Sequence, residues 1–238
     1  MCYPENAPRY ISDILTCSMT MYFQSRHEAG EQLAVQLFEK YRYENTAVVA
    51  LSDGAVAVGE PIAAKLHCVL TMLVSEDVAI PGEGQSLGAV SQEGTFTYSS
   101  ELEASEIREY NTEFHGYFEE KKREAFHKIN NLIGDGGIID HDMLRERTVI
   151  LISDGLSDIT PLDVALDFLK PVKLARLVIA APVASVDVVD RVHMVADELH
   201  ILDVKANYLG TDHYYEQNDL PTHEQTIAKI NQIILNWR

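Results

Sequence analysis

Cysteine, tryptophan and basic residues are scarce in this sequence. Its 238 residues include three cysteines, one tryptophan and 19 lysines and arginines, set against 37 aspartates and glutamates. The cysteines are widely spaced and form no Cys-x-x-Cys pair, which argues against a disulfide scaffold and predicts a reducing compartment, the cytoplasm. The net charge of −18 repels nucleic-acid phosphates and anionic membrane surfaces. We therefore expect neither a nucleic acid nor a membrane as a partner.

Long hydrophobic runs and several catalytic motifs are also absent. No apolar run reaches the roughly 18 residues that a membrane-spanning helix needs, and the N-terminus shows no basic region followed by an apolar stretch. The sequence places no Gly-x-Ser-x-Gly at a predicted strand-to-helix turn, which argues against a serine hydrolase of that kind. The nine histidines form neither His-Glu-x-x-His nor a paired Cys/His spacing, and we predict no dedicated metal ligands.

Short apolar runs alternate with helical patterns along most of the chain. This alternation predicts an α/β fold with a mostly parallel sheet flanked by helices. A stretch rich in glycine, serine and glutamate, 75–93, is predicted to be a loop that ends in a small hairpin of 87–90 and 95–99. A highly charged stretch, 101–133, is predicted to be a long helical stretch with few breakers apart from Gly116. The predicted strands are 47–51, 68–74, 148–153, 175–181 and 198–204, and the other predicted helices are about 26–41, 55–66, 162–169, 186–196 and 222–237.

The organisation of the chain is simple. Residues 1–22 show no clear period and are predicted to be an N-terminal extension, whereas 23–238 are predicted to form one domain. Hydrophobic residues make up 46% and charged residues 24% of the sequence, as in an ordinary globular protein of this size.

Two loops of the predicted sheet are candidates for a ligand site. Open parallel sheets bind ligands at the carboxyl ends of their strands, where loops meet helix N-termini. Ser52-Asp53-Gly54-Ala55 follows the first strand, and residues 153–161 follow the third. Backbone N–H groups and helix dipoles make each loop a candidate anion cradle. We predict that the turns at Ser52 and Asp154 lie next to each other.

Five segments resemble a known family in their order and spacing. They are RHEAGEQLA (26–34), VVALSDGAVAVGEPIAAKL (48–66), PGEGQSLGAV (81–90), TVILISDGLSDITPLDVALDFL (148–169) and VIAAPVAS (178–185). Together they resemble the type I phosphoribosyltransferase family, in particular its small bacterial branch. The resemblance implies a phosphoribosyltransferase-type fold with a small hood or hairpin elaboration. It also implies two ligand-binding loops: a phosphoribosyl-pyrophosphate loop with Ser153, Asp154, Gly155, Ser157, Asp158 and Thr160, and a pyrophosphate loop with Ser52, Asp53, Gly54 and Ala55.

Both loops depart from the family pattern. Family members carry two adjacent acids that hold the ribose hydroxyls, where this chain has Ser153 and Asp154. Asp158 stands where the family has the threonine of a Thr-Gly pair, with Thr160 as a displaced hydroxyl, and Asp53 replaces the arginine of Pro-Arg-Gly-Gly. Glu76 and Asp77 likewise replace an Arg-Lys pair. Each carboxylate at about 4–5 Å from a phosphate is unfavourable by a few kcal/mol, so we predict degenerate motifs.

Three hypotheses follow from these observations. The first is a catalytically degenerate phosphoribosyltransferase-fold protein that binds a small ligand or a protein partner, expected as a homodimer. The second is an active, magnesium-dependent phosphoribosyltransferase that uses phosphoribosyl pyrophosphate and a nucleobase; no other cofactor is expected. The third is a non-catalytic assembly subunit, with 101–133 as the candidate surface. Tyr208, Tyr214 and Tyr215 fall in the segment that forms the hood in this family, where they either stack on a base or pack inside the domain.

Overall fold

The structure is a computed structural model that describes residues 22–133, 139, 141–218 and 220–236. Apart from Tyr22, the predicted N-terminal extension lies outside the described residues, and the domain boundary at residue 23 stays a prediction. The strands of the described part are β1 (Thr46–Ala50), β2 (Val69–Met72), β3 (Ser75–Ala79), β4 (Ser86–Ser91), β5 (Phe96–Tyr98), β6 (Thr148–Ile152), β7 (Arg176–Ser185) and β8 (Glu198–Lys205).

The main sheet confirms the predicted α/β architecture. Its five strands lie in the order β2-β1-β6-β7-β8, and every neighbouring pair is parallel. The central strands are continuous apolar runs because both of their faces are buried. In β1, for example, Val49 packs into the core on one side of the sheet and Val48 into the core on the other.

Helices cover both faces of this sheet. The helices of the described part are α1 (Arg26–Tyr41), α2 (Asp53–Leu66), α3 (Ala104–Glu113), α4 (His115–Ile133), α5 (Thr160–Leu169), α6 (Val186–Val192) and α7 (His223–Asn236). Side chains of α1, α2 and α7 join one core cluster, and those of α5 and α6 join the other. A capping box precedes α7, since the Thr222 backbone N–H donates to the Gln225 side chain at 3.0 Å and the Gln225 backbone N–H donates to the Thr222 hydroxyl at 3.4 Å. No helix in the described ranges is both long and apolar enough to cross a bilayer.

The prediction of a loop over 75–93 was wrong in part. Strand β3 occupies its beginning and pairs antiparallel with β4, which in turn pairs with β5 as the predicted hairpin. The composition resembles that of a loop, but Val78, Leu87 and Val90 are buried in a separate small core. Pairing of β3 with β4 and burial in this core therefore override the local composition.

The predicted helical stretch over 101–133 consists of two helices. Helix α3 ends at Glu113 and α4 begins at His115, with Phe114 in a non-helical conformation between them. Tyr110, Phe114 and Phe118 all pack against the core of the small sheet. The break lets two helices cover this small sheet. In the main sheet, the predicted loops meet at the carboxyl ends of β1 and β6.

Candidate ligand-binding cleft

The two predicted loops lie side by side, as the sequence indicates. Ser52 follows β1 and Asp154 follows β6, and these strands are direct neighbours in the sheet. The Ser52 hydroxyl donates a hydrogen bond of 2.9 Å to Asp154 Oδ1, and its oxygen caps α2 by accepting from the Ala55 N–H at 3.0 Å. The prediction that these two turns are adjacent is thus confirmed.

A buried arginine holds the two loops together. Arg26, the first residue of α1, is 3% exposed and donates from Nε to Asp154 Oδ2 at 2.8 Å. Its Nη2 donates to Asp212 Oδ1 at 2.6 Å and its Nη1 to Asn218 Oδ1 at 2.7 Å. The guanidinium carbon lies 4.5 Å from the centre of the Tyr215 ring. Burial lowers the pKa of Arg26, but the hydrogen bond and negative charge of Asp154 more than offset this and leave the pKa raised.

Two glycines permit this close packing. A Cβ atom on Gly54 would lie 2.2 Å from Asp154 Oδ2 and 2.9 Å from Arg26 Nε. A Cβ atom on Gly155 would lie 2.3 Å from the Tyr208 hydroxyl and 2.6 Å from Thr211 Oγ1. The glycines of both loops are therefore covered by side chains of the protein itself.

The other acids of the predicted loops also have partners inside the protein. Asp53 contacts His223 Nδ1 at 3.1 Å, and Nε2 of the same imidazole faces the Leu132 carbonyl oxygen at 3.1 Å. Each ring nitrogen of His223 thus faces an acceptor oxygen, to which it donates when it carries the proton. Asp158 accepts from the backbone N–H and the hydroxyl of Thr160, at 2.8 and 2.9 Å. Asp158 therefore binds the first residue of helix α5.

The remaining predicted residues differ in their surroundings. The Ser153 side chain is buried and donates to the Gly155 carbonyl oxygen at 2.9 Å, within its own turn. Thr160 is 1% exposed, and its Oγ1 lies 3.2 Å from Ser99 Oγ. Ser157 is exposed. Of the residues predicted for the phosphoribosyl-pyrophosphate loop, only Asp154 lines the cleft described next.

A cleft of about 460 Å³ lies between the two loops and the segment 209–213. Its lining has one guanidinium, Arg26, against three carboxylates, Asp53, Asp154 and Asp212. Hydrogen-bonding groups come from Ser52, Gly54, Gly210, Thr211 and His213, and apolar surface comes from Leu209 and Leu220. A cleft of this size suits a small molecule.

The cleft does not fit a magnesium ion of the kind that an active enzyme would need. Magnesium takes carboxylate and water oxygens in octahedral geometry, but both oxygens of Asp154 already accept hydrogen bonds from Ser52 and Arg26. The Asp53 carboxylate faces His223. Within the described part of the chain, no three histidine, cysteine, aspartate or glutamate side chains are arranged so that they could hold one metal ion.

Two residues that line this cleft, Arg26 and Asp212, were not singled out from the sequence, nor was Asn218, which accepts from Arg26. Arg26 is far from the other two along the chain and meets them only in the tertiary structure. One signal was present for Arg26. A basic residue in the first turn of a helix is disfavoured by the helix dipole unless a carboxylate pairs with it, so its place at the start of α1 indicates a buried acidic partner.

The tyrosines of the predicted hood pack inside the domain in this structure. Tyr214 and Tyr215 are 2% and 5% exposed, and the Tyr215 hydroxyl donates to the Asp154 carbonyl oxygen at 2.5 Å. The Tyr208 hydroxyl lies 3.0 Å from Thr211 Oγ1, and burial raises the pKa of Tyr208 to about 12. These residues hold the segment that contains Asp212 against the loop at Asp154.

Asp77, on β3, feels the negative charges of Asp158 and Glu76. Partial desolvation raises the pKa of Asp77 to about 6, and the like charges of Asp158 and Glu76 act in the same direction. Asp77 is also partly exposed, so solvent screens part of this repulsion. The carboxylates of Asp158 and Glu76 thus repel that of Asp77.

We expect the substitution Asp77→Asn to stabilise the protein in a pH-dependent way. Because the folded-state pKa lies above the unfolded value, the wild type loses stability as the pH rises from about 4 to about 6. The variant lacks this loss. After allowance for screening, it should unfold with about 1 kcal/mol more free energy at pH 7.5 and with no advantage near pH 4. Urea unfolding at both pH values, with Asp190→Asn on α6 as the control for charge, tests this; an equal advantage at both pH values contradicts it.

Comparisons with known proteins agree with the fold. No protein-family model matches the sequence. A solved structure from Thermus thermophilus, TT1426, is 24% identical and has a TM-score of 0.67, over 91% of this chain and 99% of that chain. A hypoxanthine phosphoribosyltransferase from Staphylococcus aureus is 12% identical with a TM-score of 0.46, over 85% of this chain and 83% of its own. A purine phosphoribosyltransferase from Pyrococcus horikoshii is 12% identical with a TM-score of 0.43, over 86% and 98%.

The likeness to TT1426 concerns the fold alone. It shows that the five-stranded parallel sheet with its small antiparallel sheet is an architecture shared across nearly the whole chain. The architecture is the one that the resemblance to type I phosphoribosyltransferases implied from the sequence. The chain therefore shares its fold with TT1426.

Proposed function

We propose that this chain is a phosphoribosyltransferase-fold protein that has lost ordinary phosphoribosyl transfer and binds a small ligand in the cleft between its two loops. A homodimer, expected from the resemblance, remains part of the proposal. The observation that carries the proposal is the state of Asp154, the acid that the resemblance assigns to the ribose hydroxyls. Its two carboxylate oxygens accept from the Ser52 hydroxyl at 2.9 Å and from Arg26 Nε at 2.8 Å.

The hydrogen bonds of Asp154 oppose the binding of a ribose. A sugar hydroxyl that donates to Asp154 must compete with a charge-assisted bond from a buried arginine. Each such bond contributes about 1.5–3 kcal/mol, and breaking the bond also leaves the guanidinium without an acceptor. Ser153 supplies no second carboxylate, because its hydroxyl donates to Gly155.

The charge of the cleft opposes the binding of a pyrophosphate. Asp53 stands where the resemblance places an arginine, and the side chain that it faces is the imidazole of His223. Arg26 is shared between Asp154 and Asp212 and so offers no free positive charge. Two lost charge-assisted bonds, about 5 kcal/mol in all, correspond to three to four orders of magnitude in affinity. A micromolar ligand would then bind in the millimolar range.

Calorimetric titration of the unmodified protein with phosphoribosyl pyrophosphate, with and without magnesium, tests this proposal. We expect no heat of binding below about 1 mM in either condition. The same titration of the Asp53→Asn variant controls for the loop charge and should bind more strongly, but still far above micromolar concentration. Micromolar binding by the unmodified protein with magnesium, or release of pyrophosphate with any nucleobase, would establish the active enzyme instead.

A further inference from the structure

We propose that Arg26 is the anion-binding residue of this cleft and that Asp212 of the same chain occupies its binding position, as the carboxylate of a small, singly charged ligand would. The proposal deepens the proposed function, on which it rests, because it names the class of ligand that the cleft takes. It follows from the unequal character of the two carboxylates on Arg26, from the position of the second one in the cleft, and from the charges around it.

The two carboxylates that meet Arg26 are not equivalent. Asp154 follows a central strand, and its side chain is 13% exposed, so its bond to Arg26 Nε is part of the protein interior. Asp212 lies in the short 3₁₀ helix Thr211–Tyr214, and its side chain is 59% exposed although it meets the same guanidinium at 2.6 Å. Water already reaches the second carboxylate, so exchanging it for a ligand requires little new exposure of the interior.

The position that Asp212 takes on Arg26 faces the cleft. Arg26 and Asp212 both line the cleft, together with Gly210 and Thr211 from the same segment. Gly210 has a φ of +112°, a conformation that other residues rarely adopt, and open space surrounds the place where its Cβ would be. The turn that carries Asp212 therefore begins at a residue with unusual backbone freedom.

Arg26 requires an acceptor at this position whether or not Asp212 supplies it. The guanidinium is 3% exposed, and a buried N–H group without an acceptor is strongly disfavoured. Its Nε and Nη1 are held by Asp154 and Asn218, so Nη2 is the group that a ligand in the cleft can reach. An oxyanion is the natural replacement for Asp212, since planar guanidinium groups bind carboxylates well.

The surrounding charges limit that oxyanion to a single charge. Arg26 is shared between Asp154 and Asp212, and His223 faces Asp53, so the three carboxylates of the lining already outnumber its one guanidinium. A ligand carboxylate that takes the place of Asp212 on Arg26 puts the same single charge at that position. A group with two or more charges would add repulsion from Asp53 and Asp154 at short range. The ligand class is therefore a small monocarboxylate rather than a phosphate ester.

The substitution Asp212→Ala tests the proposal, with acetate as the probe. We expect acetate to raise the melting temperature of this variant along a saturable curve at constant ionic strength, while chloride does not. The unmodified protein should need at least about tenfold more acetate for the same rise, because Asp212 competes for Arg26. Asp190→Ala, an exposed aspartate on α6, makes the same charge change and should behave like the unmodified protein.

The outcomes separate this inference from the proposed function. If the acetate curves of Asp212→Ala and Asp190→Ala coincide, Asp212 does not occupy an anion position and the inference is overturned. If inorganic phosphate stabilises Asp212→Ala more than acetate does, the assignment to a single charge is overturned. Circular dichroism of Asp212→Ala establishes that it is folded. Neither result depends on the titration with phosphoribosyl pyrophosphate, which tests the proposed function by itself.

Discussion

Replacement of Arg26 by glutamine is expected to lower the free energy of unfolding by about 3–5 kcal/mol. The change removes one partner of a buried ion pair and leaves Asp154, 13% exposed, with no cation. It also removes the charged donors to Asp212 and Asn218 and the contact with the Tyr215 ring. Urea unfolding followed by circular dichroism measures the effect.

A second arginine provides the matched control for this substitution. Arg42 is exposed, and its guanidinium carbon also lies over an aromatic ring, 4.7 Å from the centre of Tyr43. Arg42→Gln removes the same charge from the surface and should change the stability by no more than about 0.5 kcal/mol.

A double substitution identifies the cause. If the buried pair is responsible, Arg26→Gln with Asp154→Asn should lose less stability than the sum of the two single changes. A loss below about 1 kcal/mol for Arg26→Gln alone would show that the guanidinium behaves as a surface group, and Arg26 would then not be the cation that holds the two loops together.

Substitution of Gly54 by alanine is the second change with a large expected effect. The added Cβ would lie 2.2 Å from Asp154 Oδ2 and 2.9 Å from Arg26 Nε, so the carboxylate, the guanidinium or the start of α2 must move. Overpacking of this kind lowers stability by about 1–3 kcal/mol, and here it also disturbs a buried ion pair, so we expect the upper end of that range.

Gly116 supplies the control for Gly54→Ala. It lies in the first turn of α4, and its Cβ would meet no atom within 4 Å. Gly116→Ala should therefore leave stability unchanged or raise it by up to about 1 kcal/mol, because alanine is the better helix former. Thermal and urea unfolding of the two variants side by side measure the difference. Equal stability of both would mean that the Arg26–Asp154 contact tolerates a methyl group.

Much of the fold could be predicted because its signals are local. The runs AVVAL (47–51) and VILI (149–152) are apolar throughout, as is typical of strands buried on both faces. The two turns that follow them had to meet, since parallel neighbours end at the same edge of a sheet. Strand β3 and the break at Phe114 were missed because both depend on packing in the core of the small sheet.

The sequence by itself determined which residues follow the strands, and hence that Asp53, Ser153 and Asp158 stand where the family resemblance predicts other residues, whereas Asp154 matches it. Only the tertiary structure decided what these carboxylates do. Asp154 meets Arg26 from 128 positions away, and Asp53 meets His223 from 170 positions away. Asp158 turns to its own helix. Charges at known positions predict repulsion, but the partner of a buried charge is chosen by packing, because only packing decides which distant side chains share a region without water.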